Sequence, residues 1–188
     1  MITFQKIRWK NFLSTGNQFT EIDFQKNNTN LIIGTNGAGK STMLDALTFV
    51  LFNKPFRKIN KPQLVNTQNE RECLVEIEFE INTRQYVVRR GIKPTVFDIV
   101  VNGTELHREA DDRAMQRVLE DNILKVNYKS FTQIVILGSS TFVPFMQLTT
   151  ANRREVIEDL LDIRIFSLMN NILKDKIRTQ KDQVKSLD

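Results

Sequence analysis

Nine residues, Gly34-Thr35-Asn36-Gly37-Ala38-Gly39-Lys40-Ser41-Thr42, constrain this chain more than any others, because they spell a complete G-x-x-x-x-G-K-[ST] phosphate loop. Ahead of it, Asn30-Leu31-Ile32-Ile33 is short, apolar and β-branched, which predicts a buried strand. Behind it, Met43, Leu44, Leu47, Phe49, Val50 and Leu51, with Asp45 and Thr48 interspersed, predict a helix buried on most sides. Strand, glycine loop and helix are the setting the motif requires. Gly34, Gly37 and Gly39 let the backbone turn tightly, so that successive N–H groups converge on an anion. The helix opening near Lys40 aims its positive end at the same point. Lys40 can set an ammonium on the β- and γ-phosphates of a nucleoside triphosphate, and the Ser41 hydroxyl can ligate the Mg²⁺ that bridges them.

With 188 residues the chain can bury one sizeable core and carry a small appendage, and 40% apolar with 26% charged residues place it among soluble globular proteins. Met1-Ile2-Thr3-Phe4 leads into alternation rather than an apolar block, so it does not read as a signal peptide. No stretch approaches the ~20 apolar residues that cross a bilayer. Cys73, the single cysteine, excludes an internal disulfide, fits a reducing cytoplasm, and reads as a small core residue on a strand. The net charge of +5 is compatible with a nucleic-acid partner without demanding one.

Taken in order, Ile2, Phe4, Ile7 and Trp9 have a period that drifts, as in a strand with a bulge. Phe19, Ile22 and Phe24 mark a second strand, and Lys26-Asn27-Asn28 turns into the phosphate-loop strand, so three strands precede the first helix. Asn53 to Pro62 is rich in proline and cations and predicts an exposed loop; its four cations either meet DNA or, as is more usual, face solvent. Cys73, Val75, Ile77, Phe79 and Ile81 then alternate with Glu76, Glu78 and Glu80, the pattern of an antiparallel strand with one wet side. Arg84–Arg90 and Thr95–Val101 continue the meander, which is expected to form a second sheet, and Asn102-Gly103 signals a hairpin. Asp111 to Leu124 has helical spacing, with Asp111 or Asp112 at its start. His107, the only histidine, has no partner cluster and reads as loop. Gln133 to Gly138 reads as another buried strand, running into a loop whose Phe142, Phe145 and Met146 need something to pack on. A helix should open near Thr149 or Thr150. From Ile165 the apolar residues Ile165, Leu168 and Ile172 approach a heptad seam, although Asp175 and Thr179 spoil it. This segment is either the start of a coiled coil, which the spacing favours, or an ordinary amphipathic terminal helix.

The ordered set Asn11-Phe12-Leu13-Ser14, Asn36 to Thr42, Lys54-Pro55-Phe56-Arg57, Phe131 to Met146, and Arg153-Arg154 leading through Glu158-Asp159-Leu160-Leu161 into a long helix is far more specific than the phosphate loop alone. On these residues the chain resembles the amino-terminal half of an SMC-like, ABC-superfamily ATPase. It is most similar to the ATPase subunit of the double-strand-break recombination nuclease in its bacteriophage form, and is related to bacterial SbcC. The resemblance implies an α/β P-loop ABC-type ATPase head, amino-terminal lobe, with mixed and antiparallel sheets over residues 1–163 and a C-terminal helix starting a coiled coil over 164–188. It implies ATP and Mg²⁺ as cofactors, a carboxy-terminal lobe of the same protein that completes the sheet, and a second copy that sandwiches ATP. It also implies a metallo-nuclease subunit at the coiled-coil base, double-stranded DNA across the dimer, and a cytoplasmic setting (the host's, if phage-encoded) without a membrane.

Carried over by residue, Asn36, Gly37, Ala38, Gly39, Lys40, Ser41 and Thr42 would bind the phosphates and Ser41 the metal, with Asn11 and Ser14 near the nucleotide and Asn66 near the base or ribose. Lys40 would be catalytic, and so would Ser139, which stands where the family places a glutamine that meets Mg²⁺ and the attacking water. Leu13 replaces a residue that is often basic in relatives, which removes one phosphate contact. No apolar strand ends in Asp-Glu, and Val156-Ile157-Glu158-Asp159 lies in a helical pattern; nor is there a serine-glycine signature segment. These residues alone are therefore expected to bind nucleotide weakly and turn it over negligibly. Two other readings share the phosphate loop: a nucleotide-gated DNA clamp of the cohesin or condensin kind, and an ABC transporter subunit. A Cys-x-x-Cys zinc hook amid long heptads, a hinge domain, or an early signature segment in the reading frame past Asp188 would separate the three.

Overall fold

The computed structural model describes residues 2–106, 111–136, 143–161 and 163–185. They divide into two compact units, Met1–Leu124 and Lys125–Asp188.

The first unit is built on one antiparallel sheet, because its strands alternate apolar and polar residues and each hairpin returns the chain beside its predecessor. Strands β1 (Ile2–Lys10), β2 (Thr20–Asp23), β3 (Cys73–Ile81), β4 (Arg84–Ile92), β5 (Val96–Val101) and β6 (Thr104–Glu105) lie in the order β2-β1-β3-β4-β5-β6. The drifting period of β1 is a register shift between Phe4 and Lys6 where it meets β3. The β5–β6 turn has Asn102 and Gly103 both at positive φ, 49° and 81°, as the hairpin signal requires. The expected second sheet does not form: β3 pairs directly with β1, which joins the meander to the first two strands.

Register then fixes the two faces. Ile7, Ile77, Val88 and Ile99 stand opposite one another on successive strands, and all four are fully buried. On the other face the corresponding row reads Glu21, Arg8, Glu76, Arg89, Asp98, with the sign of the charge alternating across five strands. Glu76 is buried within this row, paired with Arg8 at 2.5 Å and with Arg89. The wet side expected of β3 is therefore dry at its middle, because two guanidiniums replace the water that the carboxylate would need.

Helix α1 (Thr42–Phe52) lies on β3 and β4, with Ala46, Phe49, Val50 and Leu51 fully buried. Each large apolar side chain so placed contributes roughly 1.5–3 kcal/mol. The last carbonyls of the helix need donors. Arg90, buried on the apolar face, donates to Val50 O at 3.0 Å and Gln116 to Leu51 O at 2.9 Å, while the Arg90 guanidinium stacks 3.6 Å from the Phe97 ring centre. Gln116 belongs to α2 (Asp112–Arg117), which continues as a π-helical turn over Val118–Leu124.

Asn30–Ile33, expected as a buried strand, is neither paired nor covered: Leu31 and Ile33 are each 83% exposed. No described strand flanks it, so its apolar side chains have no ladder to join. Two strands, not three, thus precede α1.

In the second unit, α3 (Tyr128–Ile134) replaces the strand expected at Gln133 to Gly138; Leu137 and Gly138 lie outside the described residues. Asn127 caps it by accepting from the Ser130 amide at 2.9 Å, and its Nδ2 reaches Glu155 and Asp159 on α4 (Thr150–Leu160). A short apolar run does not by itself distinguish strand from helix, and here the cap decides. Thr149 caps α4 as its position predicts, and α5 (Arg164–Lys185) follows, with Ile165, Leu168, Met169, Ile172 and Leu173 exposed. Among the described residues no helix is long and apolar enough to cross a membrane.

Cys73 is buried on β3, and burial pushes its thiol pKa up to about 12 from the usual 9.0. The folded state therefore keeps a proton that the unfolded chain loses above pH 9, so this group's stabilisation is complete below that pH and falls away as pH rises toward 12. The Cys73→Ala variant should show a shallower alkaline loss of stability in urea denaturation than the wild type, and a maleimide should label Cys73 only as the fold opens.

Candidate functional site

The phosphate loop adopts the tight turn its glycines allow. Gly37 and Gly39 hold φ values of 87° and 89°, where a side chain would be strained, and the Ala38 and Thr42 amides bond to Thr35 O and Gly39 O. The Lys40 ammonium is pinned by Gly34 O at 2.6 Å and Thr35 O at 2.8 Å. An ammonium has three protons, so one remains for an anion. Ser41 stands exposed at the mouth of α1, where its side chain caps no backbone amide of the helix.

Facing the loop is a cleft of about 530 Å³. One wall is Asn36, Gly37, Gly39, Lys40, Ser41 and Thr42; the other is Leu13, Ser14, Arg57, Ile59, Gln63, Val65 and Thr67. Ala38 lines a smaller recess beside it, with Ile32 and Ile33. No acidic side chain is among the described residues on either wall, and no group of three or more His, Cys, Asp or Glu is placed to hold a metal ion. The donor set fits a magnesium nucleoside triphosphate: the phosphate loop and Lys40 could hold the phosphates, and the Ser41 hydroxyl could offer an oxygen to a hard cation.

The second wall is made by two segments. Arg57 is held from below by the fully buried Asp45 of α1, through its backbone amide at 2.9 Å and its Nε at 2.7 Å. Gln63 sits in a short 3₁₀ helix, Lys61–Leu64, where its Oε1 accepts from the Asn60 amide at 3.0 Å. Asn60 and Gln63 form a capping box, whose N-x-x-Q spacing is the sequence signal for this turn. Leu13 and Ser14 lie in a loop in which Asn11 and Leu13 take positive φ values, 50° and 53°.

Of the expected site residues, Ser14, Asn36, Gly37, Gly39, Lys40, Ser41 and Thr42 share the cleft, and Ala38 borders it. Asn11 and Asn66 are buried amides next to the wall rather than on it. Ser139, His107 and Phe142 lie outside the described residues. Of the cations proposed for DNA, Lys54, Arg57, Lys58 and Lys61 line the basic loop, and Arg57 is committed to Asp45. Glu155, Glu158 and Asp159 are all helical, and they bond to Asn127 and Ser167.

A family profile described as an AAA domain matches residues 6–188. The chain belongs to this AAA-domain family. Exonuclease subunit 2 of Escherichia phage RB69 is 42% identical over 97% of the chain, and exonuclease subunit 2 of Enterobacteria phage T4 is 43% identical over 90%. The chain spans only about a third of those relatives, 32% and 30%. The SbcC component of nuclease SbcCD from Staphylococcus aureus (strain Newman) is 28% identical over 88% of the chain and 18% of its own length.

Among solved structures, an Smc head domain with an extended coiled coil, from Pyrococcus furiosus and bound to the C-terminal domain of ScpA, superposes with a TM-score of 0.67. It is 22% identical and covers 97% of this chain and 48% of its own. A chain solved in work on ATP-driven dimerization and DNA-stimulated activation of SMC ATPases gives 0.58 at 24% identity, over 84% of this chain and 99% of its own. The fold of this AAA-domain chain is that of an SMC-type head.

Because Asp45 is fully buried, its removal strands the Arg57 amide and guanidinium. Asp45→Ala should lower the unfolding free energy by about 2 kcal/mol, a value discounted for the partial exposure of Arg57. Asp45→Leu combined with Arg57→Met should recover most of that in the same urea titration.

Proposed function

We propose that this chain is the ATP-binding lobe of a DNA double-strand-break repair ATPase that dimerises on ATP, binds DNA and regulates a partner nuclease. The observation that carries the reading is the Lys40 ammonium, held by Gly34 O and Thr35 O in the turn of the phosphate loop and lining one cleft with Ser41. In this reading Asn36 to Thr42 hold the phosphates and Ser41 the Mg²⁺, Ser14 lies against the nucleotide, and Ser139 stands near the reacting water. Bound MgATP would supply a γ-phosphoryl group already partly neutralised by its metal. Lys40 adds a fixed positive charge where charge develops, and the loop amides orient the phosphates without reorganising. The names of the phage and staphylococcal relatives, all of them nuclease components, favour this reading over a cohesin- or condensin-like clamp.

The exposed Leu31-Ile32-Ile33 is where a carboxy-terminal lobe would add strands. Residues 164–188 would begin the coiled coil, and the apolar face of α5 would meet its returning helix and the nuclease subunit. The setting would be the cytoplasm, the host's if the chain is phage-encoded.

In the full-length protein, Lys40→Ala or Ser41→Ala should weaken ATP binding by roughly tenfold or more in calorimetry, and abolish ATP-dependent association in sedimentation. The 188 residues alone should show negligible turnover; turnover that Lys40→Ala removes would refute the division of labour proposed. DNA binding through Lys54, Arg57, Lys58, Lys61, Lys174, Lys176, Arg178 and Lys181 should fall with salt at about 0.9 logarithmic units per phosphate contact. A sequence-specific, salt-insensitive footprint would contradict it.

A further inference from the structure

Asn66 is the most fully engaged polar side chain beside the cleft. Its Nδ2 donates to Leu13 O at 3.0 Å and Thr15 O at 3.2 Å, and its Oδ1 accepts from the Gln68 amide at 2.9 Å and the Asn69 amide at 3.1 Å. A carboxamide has two donor protons and two lone pairs, so nothing is left over for a ligand. Its backbone amide also donates to Asn11 O at 2.9 Å, and Asn69 Nδ2 reaches Asn11 Oδ1 at 2.7 Å. Two carbonyls of the Leu13–Thr15 loop therefore hang on one side chain, in a segment where Leu13 is held at a φ that an L-residue adopts only under constraint.

The part of the lining next to Asn66 includes apolar side chains. Leu13 and Val65 are apolar residues lining the same cleft as Lys40, and Val65 and Thr67 flank Asn66 in sequence. On the reading that the cleft holds a nucleoside triphosphate, this is the end suited to a planar base. We propose that Asn66 is a positioning residue: it does not touch the nucleotide, but fixes the Leu13–Thr15 backbone so that Leu13 and Val65 form a ready-made wall for the nucleoside. Asn66 thus acts on the base end of the ligand and leaves the phosphate end alone.

The test compares MgATP with magnesium tripolyphosphate, which has the phosphates and no nucleoside, by calorimetry on the full-length protein. Asn66→Asp keeps both acceptors, loses both donors, and sets a negative oxygen against Leu13 O and Thr15 O. It should weaken MgATP about tenfold and change tripolyphosphate by less than about twofold. The exposed Asn69→Ala, which removes only the bond to Asn11, should shift the same ratio by about threefold and leave the melting temperature near that of the wild type. An unchanged ratio in both variants, or equal weakening of both ligands alongside a fall in melting temperature, would overturn the inference. Failure of the wild type to bind either ligand would instead remove the nucleotide reading on which it rests.

Discussion

A helix that is apolar on nearly every side cannot rest on a surface; it has to be enclosed, and α1 is such a helix. Its burial against β3 and β4 places the phosphate loop, since the loop is the only route from Ile33 into its first turn. Phe12, at the start of the loop that carries Leu13 and Ser14, packs its ring 5.7 Å from Phe49 of the same helix. The two walls of the cleft are thereby referred to one buried cylinder. A change in how α1 sits would move the phosphate side and the nucleoside side together.

Enclosing a helix also encloses its polar atoms, and much of the rest of the first unit answers to that. Asp45 is taken out of water in the first turn, where a carboxylate complements the helix dipole but still needs a counter-charge, and Arg57 supplies it from the basic loop. At the far end, Arg90 and Gln116 reach Val50 O and Leu51 O. Burial pulls the Arg90 pKa below its usual value and Asp112 and Glu120 oppose that, so it remains a cation at neutral pH and complements the negative helix end. An apolar residue in place of Arg90 would fill the same space and leave Val50 O without this donor, the costlier arrangement.

What was legible in the sequence was what local chemistry decides. The alternation of β3, the Asn102-Gly103 hairpin, the buried character of α1, the Thr149 cap and the tight turn of the phosphate loop all follow from residues that interact within a few positions. What escaped depended on partners far along the chain. Glu76 looked like a solvent-facing strand residue because nothing near it in sequence announces Arg8 and Arg89. The bracing of the Leu13–Thr15 loop by Asn66 could not be read locally either, because its four bonds run to residues 13, 15, 68 and 69, two of them more than fifty positions away. The reverse error occurred at Leu31–Ile33 and Gln133–Gly138. There composition promised a strand, but a strand exists only as a member of a ladder, and no described residue offers one to the former. At the latter, Asn127 with the Ser130 amide was a cap signal that hydrophobicity outweighed.

The cleft's charge bears on how the labour of such a site is divided. Lys40 and Arg57 are the charged groups on its described walls, and the buried Asp45 carboxylate is paired with Arg57. Such a surface attracts a polyanion and holds it in a fixed pose. Activating water against that polyanion is a different requirement: it needs an acceptor, typically a carboxylate at the end of a strand, facing the phosphoryl group. The acids that come closest by sequence pattern, Glu158 and Asp159, are on α4 and engaged with Ser167 and Asn127. Placing a strong base beside Lys40 within the same small unit would also weaken anion capture, since the two charges would neutralise one another before any nucleotide arrived. On the proposed reading the acceptor would come from elsewhere than these described walls, which would avoid that conflict and make chemistry conditional on whatever brings it in.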